Sequence, residues 1–285
     1  MSTELCQVHG LRFDPSKTSG CIRCRSSRPP PPRVSRRALL LGGGVTLGGA
    51  GLAVAASTGA FGLFSSGAQS KSSVRVEGKP LQMRNRSGRS GAFFLPSQAA
   101  ETELPLLVFL HGTGGSGKDG IRVFGALAAA QGFAICAPDS TIAPDGQATW
   151  EVGDHPGDVT DDRRHVMACI AELAAGGLSI DPRHVLVAGH SGGGSSAPYL
   201  ATNEELFTAF AVLHGGVFPG GFGRRSVRGW FSTGDADPIR SPAMVREAYE
   251  EARSPGTHYE MRLFAGGHGI IDAEREALVG WWLGG

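Results

Sequence analysis

From residue 72 to the end of the chain, short apolar runs alternate with longer amphipathic stretches, a rhythm that few architectures accommodate. Candidate strands fall at 91–95, 105–110, 133–137, 184–188, 208–213, 227–232 and 259–264, and helical periodicity at 123–131, 162–175, 241–253 and 270–283. Several runs, such as Val185-Leu186-Val187-Ala188, are apolar at every position rather than at alternate ones. A strand reads that way when helices cover both faces of its sheet. Local signals agree: Asp161-Asp162 suits a helix start, Gly176-Gly177 a helix end, and Pro242 a first helical turn. The pattern predicts an α/β fold with a mostly parallel central sheet and helices on both faces, occupying residues 90–285.

The segment before it has a different composition. Residues 1–28 carry Cys6-x-x-His9 and Cys21-x-x-Cys24, four soft ligands in two close pairs, with Gly10 and Gly20 available for turning. Tetrahedral zinc suits such a set, so Cys6, His9, Cys21 and Cys24 are expected to form a small structural zinc module resembling a ribbon or knuckle. Residues 29–37 form a stiff linker of Pro29 to Pro32 followed by Arg33-Val34-Ser35-Arg36-Arg37. No charged side chain occurs from Ala38 to Ser70, and residues 38–64 are rich in Ala, Gly, Leu and Val, long enough as a helix to cross a bilayer. Basic residues lie directly before it, which places the N-terminus in the cytoplasm and the later residues on the far side. Ser35-Arg36-Arg37-Ala38-Leu39-Leu40 resembles a twin-arginine export signal, and Ala53-Val54-Ala55 offers a small-residue cleavage site. Both a retained membrane anchor and a cleaved signal fit, and residues 65–89 then lead into the folded domain. The formal net charge of +1 gives no reason to expect a nucleic-acid partner.

Gly189-His190-Ser191-Gly192-Gly193 fits a G-x-S-x-G turn. In a chain with 44 glycines the pentapeptide alone means little, but an apolar strand runs straight into it and a small-residue segment follows, giving the strand-turn-helix that the motif requires. Serine needs a base to remove its proton as it attacks. Of nine histidines, His268 in Gly266-Gly267-His268-Gly269 lies after the last apolar run and before the final helix, where a loop can reach over the sheet edge. His190, adjacent to Ser191, should point away, and His184 sits at the opposite end of its strand. An imidazole base needs a carboxylate to fix its tautomer. Thr233-Gly234-Asp235-Ala236-Asp237-Pro238 follows another strand, and Asp237, directly before the proline, is preferred over Asp235. The developing oxyanion needs N–H donors. Leu110-His111-Gly112-Thr113-Gly114-Gly115 follows an apolar strand and supplies them: the Thr113 and Gly192 amides are expected to serve, with Gly114 as the alternative to Thr113. Residues 139–159, with Trp150, Glu151 and His155, should lie above the same edge and shape a substrate site. Cys136 and Cys169 read as buried thiols.

Together Leu110-His-Gly, Asp181-Pro-Arg-His-Val-Leu-Val-Ala-Gly-His-Ser-Gly-Gly, Gly234-Asp-Ala-Asp-Pro and Gly267-His-Gly resemble the polyhydroxybutyrate-depolymerase and feruloyl-esterase-like branch of α/β-hydrolases, near its dienelactone-hydrolase and carboxylesterase branches. The resemblance implies an α/β-hydrolase fold and ester hydrolysis through an acyl-enzyme, with Ser191, Asp237 and His268 as triad and no cofactor for catalysis. The residue after Ser191 is Gly rather than the Asn common in the depolymerase branch, a departure from that branch's pattern, and with little room for a lid in a compact chain a small or exposed ester is the expected substrate. Two other uses of the fold remain open at this stage: a catalytically silent binding domain and a serine peptidase.

Overall fold

The computed structural model describes residues 4–5, 12–13, 76–81, 89–100, 102–155, 157–218, 221–223, 225–254 and 256–284. Cys6, His9, Cys21 and Cys24, the linker 29–37 and the apolar segment 38–64 lie outside the described residues. Near the start, β1 (Glu4–Leu5) pairs antiparallel with β2 (Arg12–Phe13). The domain then runs β3 (Lys79–Pro80), β4 (Gly91–Phe94), β5 (Leu104–Leu110), α1 (Gly117–Gln131), β6 (Ala134–Pro138), β7 (Thr141–Ile142), β8 (Ala148–Thr149) and α2 (Asp161–Ala175). It continues through β9 (Ile180–His190), α3 (Gly192–Asn203), β10 (Ala209–Leu213), β11 (Arg228–Gly234), α4 (Pro242–Ala252), β12 (Tyr259–Phe264) and α5 (Asp272–Leu283).

Eight strands form one sheet in the order β12-β11-β10-β9-β5-β6-β4-β3. From β12 to β6 every neighbouring pair is parallel, and β4 and β3 add an antiparallel margin. The all-apolar runs are buried on both sides, as expected: Leu106, Val108 and Leu110 of β5 face one core with Val185 and Val187 of β9, while Leu107, Phe109, Leu186 and Ala188 face the other. Helices α2, α3 and α4 cover the first face and α1 and α5 the second. Each large apolar side chain so buried stabilises the fold by roughly 1.5–3 kcal/mol, and Trp230, Trp282, Phe109, Phe124 and Phe210 are among those sealed completely.

Element starts differ most from the sequence reading where glycine is dense. Helix α1 begins at Gly117, six residues before the periodicity becomes legible, because the helix packs closely on β6 there; a Cβ on Gly120 would lie 2.9 Å from that of Ala137. Strand β9 begins at Ile180, so His184 lies within it, where its Nδ1 donates to Asp181 at 2.8 Å. Cys136 and Cys169 are buried free thiols. Among the described residues no helix is long and apolar enough to cross a membrane.

The strand order reverses between β5 and β9. In open α/β sheets the crevice at the carboxyl ends of strands flanking such a reversal is where ligands bind. His111-Gly112-Thr113 follows β5 at that point and Ser191 follows β9.

Candidate active site

Ser191 links β9 to α3 in a strained turn, with φ 52° and ψ −112°. An L-residue holds that conformation only where its surroundings fix it. Here the Ser191 amide donates to the Leu213 carbonyl at 2.9 Å. Gly189 and Gly193 face each other so closely that a Cβ on Gly189 would lie 2.6 Å from the Gly194 nitrogen, and one on Gly193 would lie 2.6 Å from the His111 carbonyl oxygen. Side chains at either position would force the turn open. Helix α3 starts immediately after Ser191, so its first, unpaired amides point toward the same place.

Asp237 and His268 come from the loops after β11 and β12. The end of β11 lies against the His268 loop: Asp235 N donates to the Phe264 carbonyl at 2.8 Å and Ala236 N to that of Gly266 at 2.9 Å. Within this frame His268 Nδ1 donates to Asp237 Oδ2 at 2.8 Å. The other carboxylate oxygen, Oδ1, accepts from the Ile239 and Arg240 amides, both at 2.8 Å. Burial alone would raise the Asp237 pKa, but the Arg240 amide, the His214 and His268 rings and the Ile239 amide outweigh it and hold the carboxyl well below the usual carboxylate range. Asp235 is exposed and caps the Gly266 amide at 2.9 Å. Burial lowers the pKa of His268, Asp237 raises it, and His214 and Arg240 lower it again; the net shift is downward, so the ring is neutral at rest.

Two residues that the sequence reading did not single out complete this arrangement. His214, at the end of β10, has φ 54° and is the other non-glycine residue with positive φ among those described. Its Nδ1 lies 2.8 Å from Asp237 Oδ2 and its Nε2 3.1 Å from Glu274 Oε2 in α5. Ser232 donates to Glu274 Oε1 at 2.6 Å and accepts from Trp230 Nε1 at 3.0 Å. Neither residue belongs to a recognisable motif, and His214-Gly215-Gly216 reads in sequence as an ordinary turn. His190, expected to diverge from Ser191, lies beside His268: its Nε2 is 2.7 Å from the His268 carbonyl oxygen, and the ring centroids are 5.0 Å apart. Burial, with His214 nearby, depresses its pKa to about 3, so it is a neutral donor that holds the His268 backbone. His214, Asp237 and His268 bring metal-type donors within 4.8 Å of one another. Both imidazole Nδ1 atoms are already spent on one Asp237 oxygen, which is a hydrogen-bonded chain rather than an open ligand set.

On the other side of Ser191, the loop after β5 is tied down by His111, which is buried. Its Nε2 accepts from the Ser140 amide at 3.1 Å, so Nδ1 carries the proton and donates to the Gly112 carbonyl at 2.8 Å. The His111 carbonyl in turn accepts from Trp150 Nε1 at 2.8 Å. The Gly114 amide donates to the Ala148 carbonyl at 2.8 Å, so of the two amides of this loop weighed as oxyanion donors Gly114 is already engaged. A Cβ on Gly192 would lie 3.5 Å from the Thr113 nitrogen, so the two amides are neighbours. Residues 139–155 and 157–159 form the β7-β8 hairpin and the loop beyond it. Asp162 anchors them: it pairs with Arg89 and accepts from the Thr141 amide at 3.1 Å and the Glu151 amide at 2.6 Å. Ile142 and Val159 stand exposed on this segment.

A family model described as esterase PHB depolymerase matches residues 89–234. The chain belongs to that family. The solved structures it is similar to share its α/β-hydrolase fold. A Bacillus cereus carboxylesterase is 19% identical, with TM-score 0.53 over 70% of this chain and 95% of the other. Esterase PE8 is 18% identical, with TM-score 0.51 over 68% and 97%. SOBER1 of Arabidopsis thaliana is 19% identical, with TM-score 0.51 over 63% and 97%. No curated protein matches the chain. The esterase family model ends at residue 234, three residues before Asp237, so Ser191 and the loop after β5 fall inside it and Asp237 and His268 beyond it.

Proposed function

We propose that this member of the PHB-depolymerase esterase family is a serine carboxylic ester hydrolase that works through an acyl-enzyme. The observation that carries the reading is the 2.8 Å contact between His268 Nδ1 and Asp237 Oδ2 at the sheet edge that also bears the strained Ser191. Because Asp237 accepts at Nδ1, the neutral His268 presents an unprotonated Nε2, the form a general base needs. Ser191 Oγ attacks the ester carbonyl and passes its proton to His268 Nε2. The carbonyl oxygen, now negative, is held by the Thr113 and Gly192 amides. Collapse of the intermediate expels the alcohol, which takes the proton from His268, and leaves the acyl group on Ser191. Water, deprotonated by the same nitrogen, attacks the acyl carbon, and the proton then returns to Ser191 as the acid leaves. No step needs a metal or an organic cofactor.

The exposed Ile142 and Val159 on the segment after β6 support an ester with an accessible, modest acyl group rather than a deeply enclosed one. Steady-state hydrolysis of a chain-length series of nitrophenyl esters tests this. Turnover that survives Ser191→Ala overturns the mechanism, and turnover of amides but not esters replaces it with a peptidase. We further propose that residues 38–64 carry the domain across, or anchor it in, the cytoplasmic membrane, and that Cys6, His9, Cys21 and Cys24 hold a structural zinc on the cytoplasmic side. N-terminal sequencing of the mature protein and metal analysis of the full chain test these two statements.

A further inference from the structure

Asp237 Oδ2 is shared. It accepts a hydrogen bond from His268 and another from His214, and Thr233 Oγ1 lies 3.1 Å from it as well. His214 differs from His268 in having a carboxylate at each end, Asp237 at Nδ1 and Glu274 at Nε2, with both side chains sealed from solvent. Glu274 has no exposure at all, and its second oxygen is already accepting from Ser232, whose own acceptor position is filled by Trp230. A carboxylate only accepts, so two carboxylates facing one ring require a proton on each nitrogen. The groups facing His214 are therefore Asp237 from the β11 loop, Glu274 from α5, His268 from the β12 loop and His190 from β9, with Arg240 facing His268. Only the two acids oppose its charge. The backbone at His214 is held at φ 54°, an uncommon conformation that is retained here to bring the ring between those acids.

Resting on the assignment of His268 as the base, we propose that Glu274 and His214 are positioning residues: Glu274 holds His214 as a buried imidazolium, which through the shared Asp237 oxygen lowers the basicity of His268. The ring centroids of His214 and His268 are 5.5 Å apart, so a positive charge on one disfavours protonation of the other. The Glu274 charge sits on the far side of His214, so the pair presents its positive end to His268. Burial works against a charge on His214, but Glu274 and Asp237 overcome it and raise its pKa. The consequence is a base kept neutral, and competent, down to lower pH than a single Asp-His pair would give.

The test uses Glu274→Gln, which keeps the volume and an acceptor for Ser232. A glutamine amide donates to His214 Nε2, so the ring reverts to the neutral form. The 15N shifts of labelled histidine in the full chain read this directly: His214 is doubly protonated at neutral pH in the wild type and singly protonated in the variant. In the same variant the acid limb of kcat/KM for a nitrophenyl ester moves up by about one pH unit as the neighbouring charge is lost. His214→Asn combined with Glu274→Gln keeps a donor on Asp237, tolerates the positive φ, and gives the same upward displacement if the single variant folds poorly. A neutral His214 in the wild type, or a limb that stays in place or moves down, overturns the proposal. Because the nitrogen shifts do not depend on turnover, an inactive enzyme with a doubly protonated His214 would contradict the esterase reading and leave the charged pair standing.

Discussion

Replacing Asp237 by Asn changes one oxygen to an NH2 group, and the surroundings determine which one. Oδ1 accepts from two backbone amides at 2.8 Å, and those donors cannot reverse. The asparagine oxygen therefore takes that side, and its NH2 group faces His214 Nδ1 and His268 Nδ1, both of which donate in the wild type at 2.8 Å. Relief at His268 comes only if it becomes the other tautomer, with its proton on Nε2, and in that form it cannot accept from Ser191. A serine hydrolase whose histidine is locked in the wrong tautomer loses on the order of 10⁴-fold in kcat, about 5.4 kcal/mol of transition-state stabilisation. The His214 imidazolium also loses one of its two counter-charges in a sealed site, a change that costs about 3–5 kcal/mol in folding stability. Nitrophenyl-ester kinetics at neutral pH and urea denaturation of the same sample measure the two effects. A folded Asp237→Asn enzyme with activity within about tenfold of wild type refutes the role given to Asp237.

Gly193→Ala drives a methyl group into the Leu110 and His111 carbonyls, which lie in rigid backbone. The start of α3 then shifts by an amount that loosens the Thr113 and Gly192 pair, and kcat should fall about 10²-fold while the fold, followed by circular dichroism, survives. Asp162→Ala leaves the Thr141 and Glu151 amides and Arg89 without their shared acceptor. Stability should fall by about 2–4 kcal/mol in urea titrations, and the Michaelis constant should rise as the β7-β8 hairpin loses its anchor. For pH, the base must be neutral and its folded pKa is depressed, so kcat/KM is lost as pH falls through a value below that of an ordinary imidazole. A midpoint at or above that value, read from the pH–rate profile, contradicts the arrangement.

Much of the fold was legible because its signals are local and strong. A parallel sheet covered on both faces leaves runs such as Val185 to Ala188 with no polar position, and several of the seven candidate strands carry that signal. Helix α1 was misjudged at its start because Gly117 and Gly120, which read as loop, are what a helix needs to lie close on β6. Ser191, Asp237 and His268 stand out in the sequence as candidates because each follows a strand in a turn of distinctive composition. His214 and Glu274 do not, since their pairing spans sixty residues and depends on where β10 and α5 meet. The contact of the His190 ring with that of His268 has no local signal either, since it joins residues 78 positions apart.

The central claim is that Ser191 is the nucleophile. A fluorophosphonate probe with wild-type chain and with Ser191→Ala, digested and mapped by mass spectrometry, tests it most directly. The account predicts a single adduct on Ser191, formed in parallel with loss of ester hydrolysis and absent from the variant. Wild-type protein that folds and hydrolyses esters but carries no adduct on Ser191, or a variant that keeps its turnover, contradicts it.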